Sequence, residues 1–381
     1  GTLTLTGGNT LSLYGNNDFS GGLSIADGVL QGEISALGTG FIENNGGLVL
    51  LDSGQAQLVS DLSGSGYVNL GNGGEIRLTG NNALFSGDFT IANGALIGDV
   101  DAFGGATIEN QSRLVLDQAA DGIFDNTLSG SGDLEKTGSG AVSLDQDAVA
   151  FSGNTVIQQG RVNANSNWSN SAFTVENSGV LGGTGQVGDT TIESGGTLAA
   201  GNSIGTLNIN GDLTFNSGSQ LALEVDPAST SSDRIEVSGQ ANLAGSVLHV
   251  GNDGTYQPFS TYTFLNAAGG IKLADGDYQV EFVGYDNEYD PTKARTGATK
   301  LVREDGVSFI MMLGGDTWPG AQPVADKTGM LFSTLLPSDL APDTETLLAP
   351  VEVHPIYNVT GVEWLAENHP DLKTAVMCAQ D

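Results

Sequence analysis

The sequence predicts an all-β right-handed parallel β-helix, which is a solenoid, followed by a small and incomplete α/β segment. Three observations predict it: a long internal repeat, short alternating apolar runs, and a change of composition near residue 270. The chain has 381 residues, of which 57 are Gly and 15% are charged. This composition suits short strands and tight turns better than long helices. The two segments are expected over residues 1–265 and 266–381.

The repeat places the same short motifs at a constant spacing along the chain. Leu62-Ser63-Gly64-Ser65-Gly66 returns as Leu128-Ser129-Gly130-Ser131-Gly132, and Ile42-Glu43-Asn44 returns as Ile108-Glu109-Asn110. A Phe before Ser-Gly recurs with the same period, at Phe19, Phe85 and Phe151. A fixed period indicates stacked units, and this one, about 66 residues, divides into three coils of ~22 residues. The three Phe are therefore predicted to be core residues of the repeat.

Alternating apolar runs of three to five residues predict the strands of each coil. Examples are Leu23-Ser24-Ile25, Glu75-Ile76-Arg77-Leu78 and Phe89-Thr90-Ile91. Alternation with a period of two indicates strands that bury one face. A single coil cannot bury its inward side chains alone, so stacking on neighbouring coils is expected to stabilise the rod. The competing all-β folds are a propeller, whose blade signature is absent, and an antiparallel sandwich.

The charge of the chain argues against nucleic acid as a partner. Its 45 acidic and 12 basic residues give a formal net charge of -33, which repels a phosphate backbone. No apolar run approaches the ~20 residues that span a bilayer, so no membrane insertion of this chain is expected. The single cysteine, Cys378, permits no intrachain disulfide.

A group of motifs lies late in the first segment. In order they are Ile192-Glu193-Ser194-Gly195-Gly196-Thr197-Leu198, Gly201-Asn202-Ser203-Ile204-Gly205-Thr206-Leu207, Leu223-Glu224-Val225-Asp226 and Asp233-Arg234-Ile235-Glu236-Val237. These motifs resemble the passenger-associated transport repeat of autotransporter passenger domains and the strands that follow it. The resemblance assigns a structural role in the stem to Gly195, Gly196, Gly201, Asn202, Ser203, Ile204 and Gly205.

The resemblance implies a type V secreted protein that passes through the periplasm to the bacterial outer-membrane surface or the extracellular space. In this family a C-terminal outer-membrane β-barrel carries the passenger. The sequence contains no series of ~10-residue amphipathic strands, so that translocator is not expected within it. The implied role is structural and adhesive, and the implied partner is a receptor or glycan on a host or neighbouring cell.

From residue 278 the sequence predicts strands that alternate with helices. Strands are expected from Val280 to Val283 and from Leu331 to Leu335, and the apolar run from Val307 to Leu313 is typical of a strand covered on both sides. A helix is predicted to begin at Asp290-Pro291, and a second helix is predicted through Gln322 to Lys327.

Several motifs of this segment carry a second resemblance. They are Asn266-Ala267-Ala268-Gly269-Gly270-Ile271, Tyr285-Asp286-Asn287-Glu288-Tyr289-Asp290-Pro291, Gln322-Pro323-Val324-Ala325 and Tyr357-Asn358-Val359-Thr360-Gly361. Residues 266–381 resemble the N-terminal lobe of periplasmic substrate-binding proteins of branched-chain amino-acid ABC transporters, so the chain resembles a chimera. The ligand-facing loops of that family correspond here to Asp316, Thr317 and Ser338. Its first strand and second lobe are missing, so no useful amino-acid binding is expected.

Few residues of the chain suggest chemistry. No spacing of His, Cys, Asp or Glu indicates a zinc site, and neither catalytic residues nor metal or cofactor ligands are predicted. Asp226 and Asp233 flank a loop, and paired carboxylates can cleave polysaccharides, but an ion pair with the neighbouring Arg234 is the favoured interpretation. Trp168 and Tyr256 look exposed and are either receptor contacts or the cover of a coil end.

The leading functional hypothesis is a surface-displayed, non-enzymatic stalk with a structural and adhesive role. One alternative is a solute-binding component of an ABC amino-acid importer, which depends on residues 266–381 alone. A second alternative is a polysaccharide-cleaving β-helix passenger.

Overall fold

A computed structural model describes residues 1–226, 229, 231–251, 262–273, 285–307, 309–312, 317–330, 332–334, 347–348 and 376–377. Within these residues the chain is a parallel β-solenoid, followed by two α-helices and a small sheet. The predicted fold class is confirmed. The strand expected from Val280 to Val283 lies outside the described residues. The described part of the chain contains no helix that is long and apolar enough to cross a membrane.

The strands of the solenoid follow one another along three faces in a constant order, and some coils lack a strand on one face. Strands on neighbouring coils pair in parallel, as Leu23 does with Ile42 and Leu114 with Leu134. Partway along the chain a new sheet takes the place of the first sheet in this order, and later another takes the place of the second. We therefore describe a first and a second face of two sheets each, and a third face of one eleven-stranded sheet.

The strands of the three faces lie between residues 3 and 273. The first face contains Leu3–Leu5, Leu23–Ile25, Ile42–Asn44, Leu62–Gly64 and Leu84–Phe85, then Gly122–Phe124, Ala141–Leu144, Gly160–Ala164, Gly179–Gly183, Thr197–Ala200, Gln220–Val225 and Ser246–Gly251. The second face contains Thr10–Ser12, Val29–Gly32, Gly47–Leu50, Tyr67–Leu70, Asp88–Ile91, Thr107–Asn110 and Leu128–Gly130, then Asn167–Trp168, Gln186–Val187, Thr206–Ile209, Arg234–Val237 and Leu265–Ala267. The third face contains Gln55–Leu58, Glu75–Leu78, Ala95–Gly98, Arg113–Asp117, Asp133–Thr137, Thr155–Ile157, Phe173–Val175, Thr190–Ile192, Leu213–Phe215, Ala241–Leu243 and Ile271–Leu273. Two 3₁₀ helices, Ile34–Ala36 and Val100–Phe103, form turns between the faces.

In the region of the sequence repeat, the coil is shorter than the predicted ~22 residues. Leu3 pairs with Leu23 and Leu48 pairs with Val68, so these two pairs of positions each mark one full coil. The sequence repeat therefore spans three coils and one further face. Its copies show this directly, because Ile42–Asn44 lies on the first face and its copy in Thr107–Asn110 lies on the second.

The three Phe of the repeat follow the same rotation. Phe19, Phe85 and Phe151 precede strands of the first, second and third face, respectively. Phe85 and Phe151 are fully buried, whereas Phe19 is half-buried. Each copy of the repeat thus enters the core from a different side of the rod.

The solenoid core is a continuous cluster of inward side chains whose buried members extend from Leu23 to Ala241. Aromatic rings form part of it, with centroid distances of 5.1 Å between Phe85 and Phe89 and 6.4 Å between Phe89 and Phe103. Such ring pairs add about 0.5–1.5 kcal/mol to the burial of apolar area. The core therefore stabilises the rod through contacts between successive coils.

One inward position of the third face is a lysine. Lys136 is 1% exposed, and its Nζ donates to the carbonyl oxygens of Thr137 and Gly138 at 2.8 Å and of Gln159 at 3.1 Å. Burial lowers the pKa of Lys136 to about 8, and the carboxylate of Asp117 opposes this shift. Three acceptors for three ammonium protons allow a cation to occupy a position that apolar residues fill elsewhere.

The solenoid continues past residue 265, where the sequence analysis placed its end. Leu265–Ala267 pairs with Arg234–Val237, and Ile271–Leu273 pairs with Ala241–Leu243. Parallel pairing therefore reaches residue 273. The division of the chain into two domains remains a prediction.

The α/β segment contains helices α1, Pro291–Arg303, and α2, Trp318–Thr328. Helix α1 begins where the sequence predicted, because the side chain of Asp290 accepts hydrogen bonds from the backbone N–H groups of Thr292 and Lys293. Four parallel strands form its sheet in the order Leu347–Leu348, Phe332–Thr334, Ile310–Met312 and Val376–Met377.

This segment has a core of its own. Leu301 of α1 and Trp318 of α2 are buried with Ile310 and Phe332 from the sheet, and the rings of Trp318 and Phe332 are 5.7 Å apart. The buried cluster of this segment and that of the solenoid share no residue.

Candidate functional site

The candidate site is a groove on the first face of the solenoid, beside the loop between Thr197–Ala200 and Thr206–Ile209. We call it the Arg161 groove, and its volume is about 310 Å³. Its lining combines charged, amide, hydroxyl and small apolar groups. The lining residues are Arg161, Asn163, Ala199, Ala200, Gly201, Asn202, Ser203, Ala222, Glu224 and Asp233.

Arg161 crosses the groove from one strand to the loop. Its Nη2 donates to the carbonyl oxygens of Ala199 at 3.3 Å and Gly201 at 3.0 Å. Gly182 lies on the strand between them, and a Cβ at this position would collide with the guanidinium. Burial lowers the pKa of Arg161, and the carboxylates of Asp233 and Glu224 oppose this shift.

Asp233 holds the other end of the loop. It is 3% exposed, its Oδ1 accepts a hydrogen bond from Gly205 N at 3.1 Å, and its Oδ2 accepts one from Glu224 N at 2.8 Å. Burial raises the pKa of Asp233 and the charge of Glu224 raises it further, while both amide donors and Arg161 lower it. Asp233 therefore positions backbone groups.

The loop itself makes a sharp turn that starts at Gly201. Gly201 has a φ of 81° and forms an antiparallel bridge with Gly183. Asn202 and Ser203 are exposed, and the Nδ2 atom of Asn202 donates to Oδ1 of Asn165 at 3.0 Å. Because Arg161 holds the start of the loop and Asp233 holds its end, the exposed side chains have a defined position.

The chemistry of the groove suits recognition of a polar ligand. It brings one guanidinium close to two carboxylates, so opposite charges lie together. Both oxygens of Asp233 already accept backbone hydrogen bonds, which favours a positioning role for this carboxylate. The described residues contain no group of three metal-ligating side chains.

The groove unites only part of the predicted stem motif. Gly201, Asn202 and Ser203 line it, and Gly205 contacts it through Asp233. Ile204 is half-buried within the same loop. The exposed Gly195 and the buried Gly196 lie in the turn before Thr197–Ala200, away from the lining. The structural role of these residues remains a prediction.

Arg161 and Glu224 were not singled out by the sequence analysis. They lie far apart in the chain, and only the stacking of coils brings them to one groove. A usable signal was the rarity of cations, because Arg161 is one of only five basic residues in the first 270.

Two expectations about charged and aromatic residues are corrected. The Nε of Arg234 pairs with Glu236 and not with Asp233. Trp168 is 1% exposed, its Nε1 donates to the Gln146 carbonyl at 3.0 Å, and its ring lies 5.9 Å from that of Phe151. The expectation that Trp168 is exposed is therefore wrong, and the residue belongs to the core. Tyr256 lies outside the described residues.

The expected ligand-facing residues of the α/β segment are only partly described. Thr317 is fully buried directly before α2, and Nδ2 of Asn287 lies 3.5 Å from its Oγ1. Asp316 and Ser338 lie outside the described residues. Their ligand-facing role stays a prediction.

Comparison with known families identifies two kinds of segment. Residues 3–31 and 134–164 match the passenger-associated transport repeat, and residues 264–381 match a periplasmic binding protein family. The first repeat match begins at residue 3 and the second at residue 134, a spacing close to twice the sequence period. The two repeat matches do not cover the motifs between residues 192 and 207.

Two curated relatives are similar to parts of the chain. An uncharacterized lipoprotein of Escherichia coli K12, YdeK, is 31% identical over 209 residues, which are 52% of this chain and 16% of that protein. An extracellular serine protease of Serratia marcescens is 37% identical over 102 residues, which are 27% of this chain and 10% of the protease. The chain thus spans less than a fifth of each relative.

These findings confirm the chimeric character that the sequence suggested. The chain joins a solenoid of the autotransporter passenger type to a segment similar to periplasmic binding proteins. A passenger segment is an exported one, and one relative is named as extracellular. Passenger segments of this type depend on a separate translocator domain for export.

Proposed function

We propose that this chain is a non-catalytic stalk, displayed at the bacterial outer-membrane surface, that presents adhesive surfaces to a receptor or glycan on another cell. The observation that carries the proposal is the parallel solenoid that the described residues form up to residue 273, with two matches to the passenger-associated transport repeat. A stack of near-identical coils forms a rigid spacer, and its length grows with each added coil.

The Arg161 groove supports a binding role over a catalytic one. One of the two groove carboxylates, Asp233, is buried and binds two backbone amides, which favours a positioning role over proton transfer for this residue. The matched region of the Serratia serine protease covers only 10% of that enzyme, so its name supports export of this chain and not proteolysis.

The surface charge of the rod indicates which partners it accepts. Residues 1–270 contain 27 acidic and only five basic side chains. Arg77, Arg113 and Arg234 form ion pairs with carboxylates, while Lys136 and Arg161 donate to backbone carbonyls. Each of these cations thus has a partner within the rod, the net surface charge is negative, and a neutral or basic partner surface complements it.

The proposal is tested by adhesion of beads that carry the purified chain to cultured epithelial cells. Coated beads should bind several times more often than beads coated with an unrelated acidic protein. Beads that carry Phe85→Asp should lose part of this excess because the coils near residue 85 are disturbed, whereas Leu84→Asp, at an exposed neighbouring position, should retain all of it. No excess with the native chain, or hydrolysis of casein or pectin by it, would contradict the proposal.

A second candidate function is solute binding by the α/β segment. The observation that favours it is the match of residues 264–381 to the periplasmic binding protein family, together with a parallel sheet and two helices in that segment. Titration of the whole chain with leucine in a calorimeter tests it. Saturable heat at micromolar leucine would assign a transport role to this segment, and its absence would leave the stalk as the only function.

A further inference from the structure

We propose that the Arg161 groove is a binding site for a neutral saccharide. This inference rests on the proposed adhesive function and names the ligand class and the residues that recognise it. Unused polar groups in the groove, the charges around them and the small side chains between them support it.

The groove offers donors and acceptors side by side. Among the described contacts, Arg161 uses Nε toward Asn163 and Nη2 toward the loop carbonyls, so the two N–H groups of Nη1 remain for a ligand. Asn163 accepts at its Oδ1 and keeps its amide donors. Asn202 donates at its Nδ2 and keeps its oxygen as an acceptor. Ser203 and Glu224 add a hydroxyl and a carboxylate.

Sugar hydroxyls match such a mixed set, because each hydroxyl both donates and accepts hydrogen bonds. Adjacent hydroxyls of a sugar ring can bridge the two atoms of a planar carboxylate, amide or guanidinium group. Arg161, Asn163, Asn202 and Glu224 supply four such planar groups in one groove. A ligand that only donates or only accepts would leave half of them without partners.

The charges select a neutral ligand. An anion in the groove would approach Glu224 and Asp233 within a chain of net charge -33. A cation would approach the Arg161 guanidinium, which its contacts with Ala199 and Gly201 hold in place. A neutral polyhydroxylated ligand is repelled by neither charge. Its hydroxyls can accept hydrogen bonds from the Arg161 guanidinium and donate them to the Glu224 carboxylate.

The size and floor of the groove fit one or two sugar rings. Its volume of about 310 Å³ is at the lower end of small-ligand sites, which span roughly 300–1,000 Å³. Ala199 and Ala222 supply short apolar side chains between the polar groups. The C–H side of a sugar ring can lie on them while its hydroxyls contact the rim.

The test is binding of the whole chain to an array of neutral oligosaccharides and their sialylated derivatives, followed by titration of the best neutral glycan by NMR. At least one neutral glycan should bind saturably, and its sialylated derivative should bind at least tenfold more weakly. Glu224→Gln should weaken the neutral glycan at least tenfold, since it removes a carboxylate acceptor from the groove. Gln220→Ala, an exposed change on the same strand outside the lining, should leave affinity within twofold.

Thermal melts of both variants verify that the fold is retained. The saccharide site is overturned if no neutral glycan binds, if the sialylated glycans bind best, or if a folded Glu224→Gln binds as the native chain does. Cell adhesion that is unchanged in Glu224→Gln would overturn the groove as the adhesive contact and leave the stalk function intact. Glycan binding without any cell adhesion would retain the groove and contradict the proposed function.

Discussion

The solenoid and the α/β segment bury their side chains in two different ways. In the solenoid, each coil stacks on the coil before and the coil after, so the core extends along the rod from Leu23 to Ala241. In the α/β segment, helices α1 and α2 and the strands around Ile310 and Phe332 converge on one compact cluster. The first core is a column, whereas the second is closed.

This difference determines how far damage spreads. A coil of a solenoid interacts with its nearest neighbours only, so stability is close to a sum of coil and interface contributions. A compact core loses its packing as a unit because all elements share the same contacts. A substitution in the column should therefore disturb a few coils, and one in the compact cluster should disturb the whole segment.

The largest effect is expected for Phe85→Asp, which puts a charge into the column. Phe85 is fully buried and lies 5.1 Å from the ring of Phe89. Loss of a buried ring costs about 3–5 kcal/mol, and an unpaired buried carboxylate adds to that. Thermal unfolding followed by circular dichroism should show a midpoint lower by many degrees.

The adjacent Leu84 supplies the control for this change. It is 80% exposed although it belongs to the same strand. Leu84→Asp should lower the free energy of unfolding by less than about 1 kcal/mol, because a surface substitution removes little packing. Its thermal midpoint should therefore stay close to that of the native chain. Equal losses in the two variants would show that Phe85 does not face the column.

The next largest effect is expected for Leu301→Ala in the compact cluster. Leu301 is 1% exposed on α1, and truncation of a buried Leu costs about 2–5 kcal/mol. Limited proteolysis should cut the α/β segment faster and leave the solenoid intact. Lys300→Ala, at an exposed position of the same helix, should not change the digestion pattern. Faster cleavage of the solenoid in Leu301→Ala would show that the two cores are coupled.

A smaller effect with a distinct pH dependence is expected for Lys136→Met. At pH 7 the change removes the donor to three carbonyl oxygens and should cost about 1–3 kcal/mol. The folded pKa of Lys136 is lowered to about 8, while the pKa of an unfolded lysine is about 10.4. Between these values the unfolded chain binds more protons, so this residue should raise the free energy of unfolding as the pH increases.

The measurement is the thermal midpoint of native chain and variant at pH 7 and pH 9.5. The gain in stability from pH 7 to pH 9.5 should be larger in the native chain than in Lys136→Met, with a limit of about 1.4 kcal/mol per pH unit. Lys300→Met, which changes an exposed lysine, should keep the native pH dependence. An identical dependence in Lys136→Met and the native chain would refute burial of the ammonium.

The smallest effect is expected for Arg77→Gln on the outer surface of the third face. Arg77 reaches over one coil to Asp117, with 2.7 Å between Nη1 and Oδ2, and both side chains are more than a third exposed. Exposed ion pairs of this kind contribute less than about 1 kcal/mol. Chemical denaturation should therefore show a change within this limit, and a larger loss would mean that surface ion pairs join the coils as strongly as the core does.

The alternation of apolar and polar residues was sufficient to predict the strands and their stacking, and the pair Asp290-Pro291 was sufficient to predict the start of α1. Both signals depend only on residues that are neighbours in the sequence. The coil length was harder to predict. The period of the repeat fits three coils of ~22 residues, and it fits three shorter coils plus one further face equally well. Only the register between paired strands distinguishes these two arrangements.

Residues that depend on distant partners could not be predicted. Trp168 follows a polar stretch and gives no sign in the sequence that its ring packs on Phe151. Lys136 is inward because carbonyls of Thr137, Gly138 and Gln159 surround its ammonium, and a carbonyl acceptor leaves no trace in side-chain patterns. The Arg161 groove likewise draws its residues from several coils.

Hydrogen exchange with mass spectrometry of Phe85→Asp tests the central claim, that a column of stacked coils and a separate compact core coexist in this chain. The account predicts faster amide exchange in coils near residue 85, native protection in coils beyond about residue 180, and native protection in α1 and α2. Loss of protection throughout the solenoid and in both helices would contradict it.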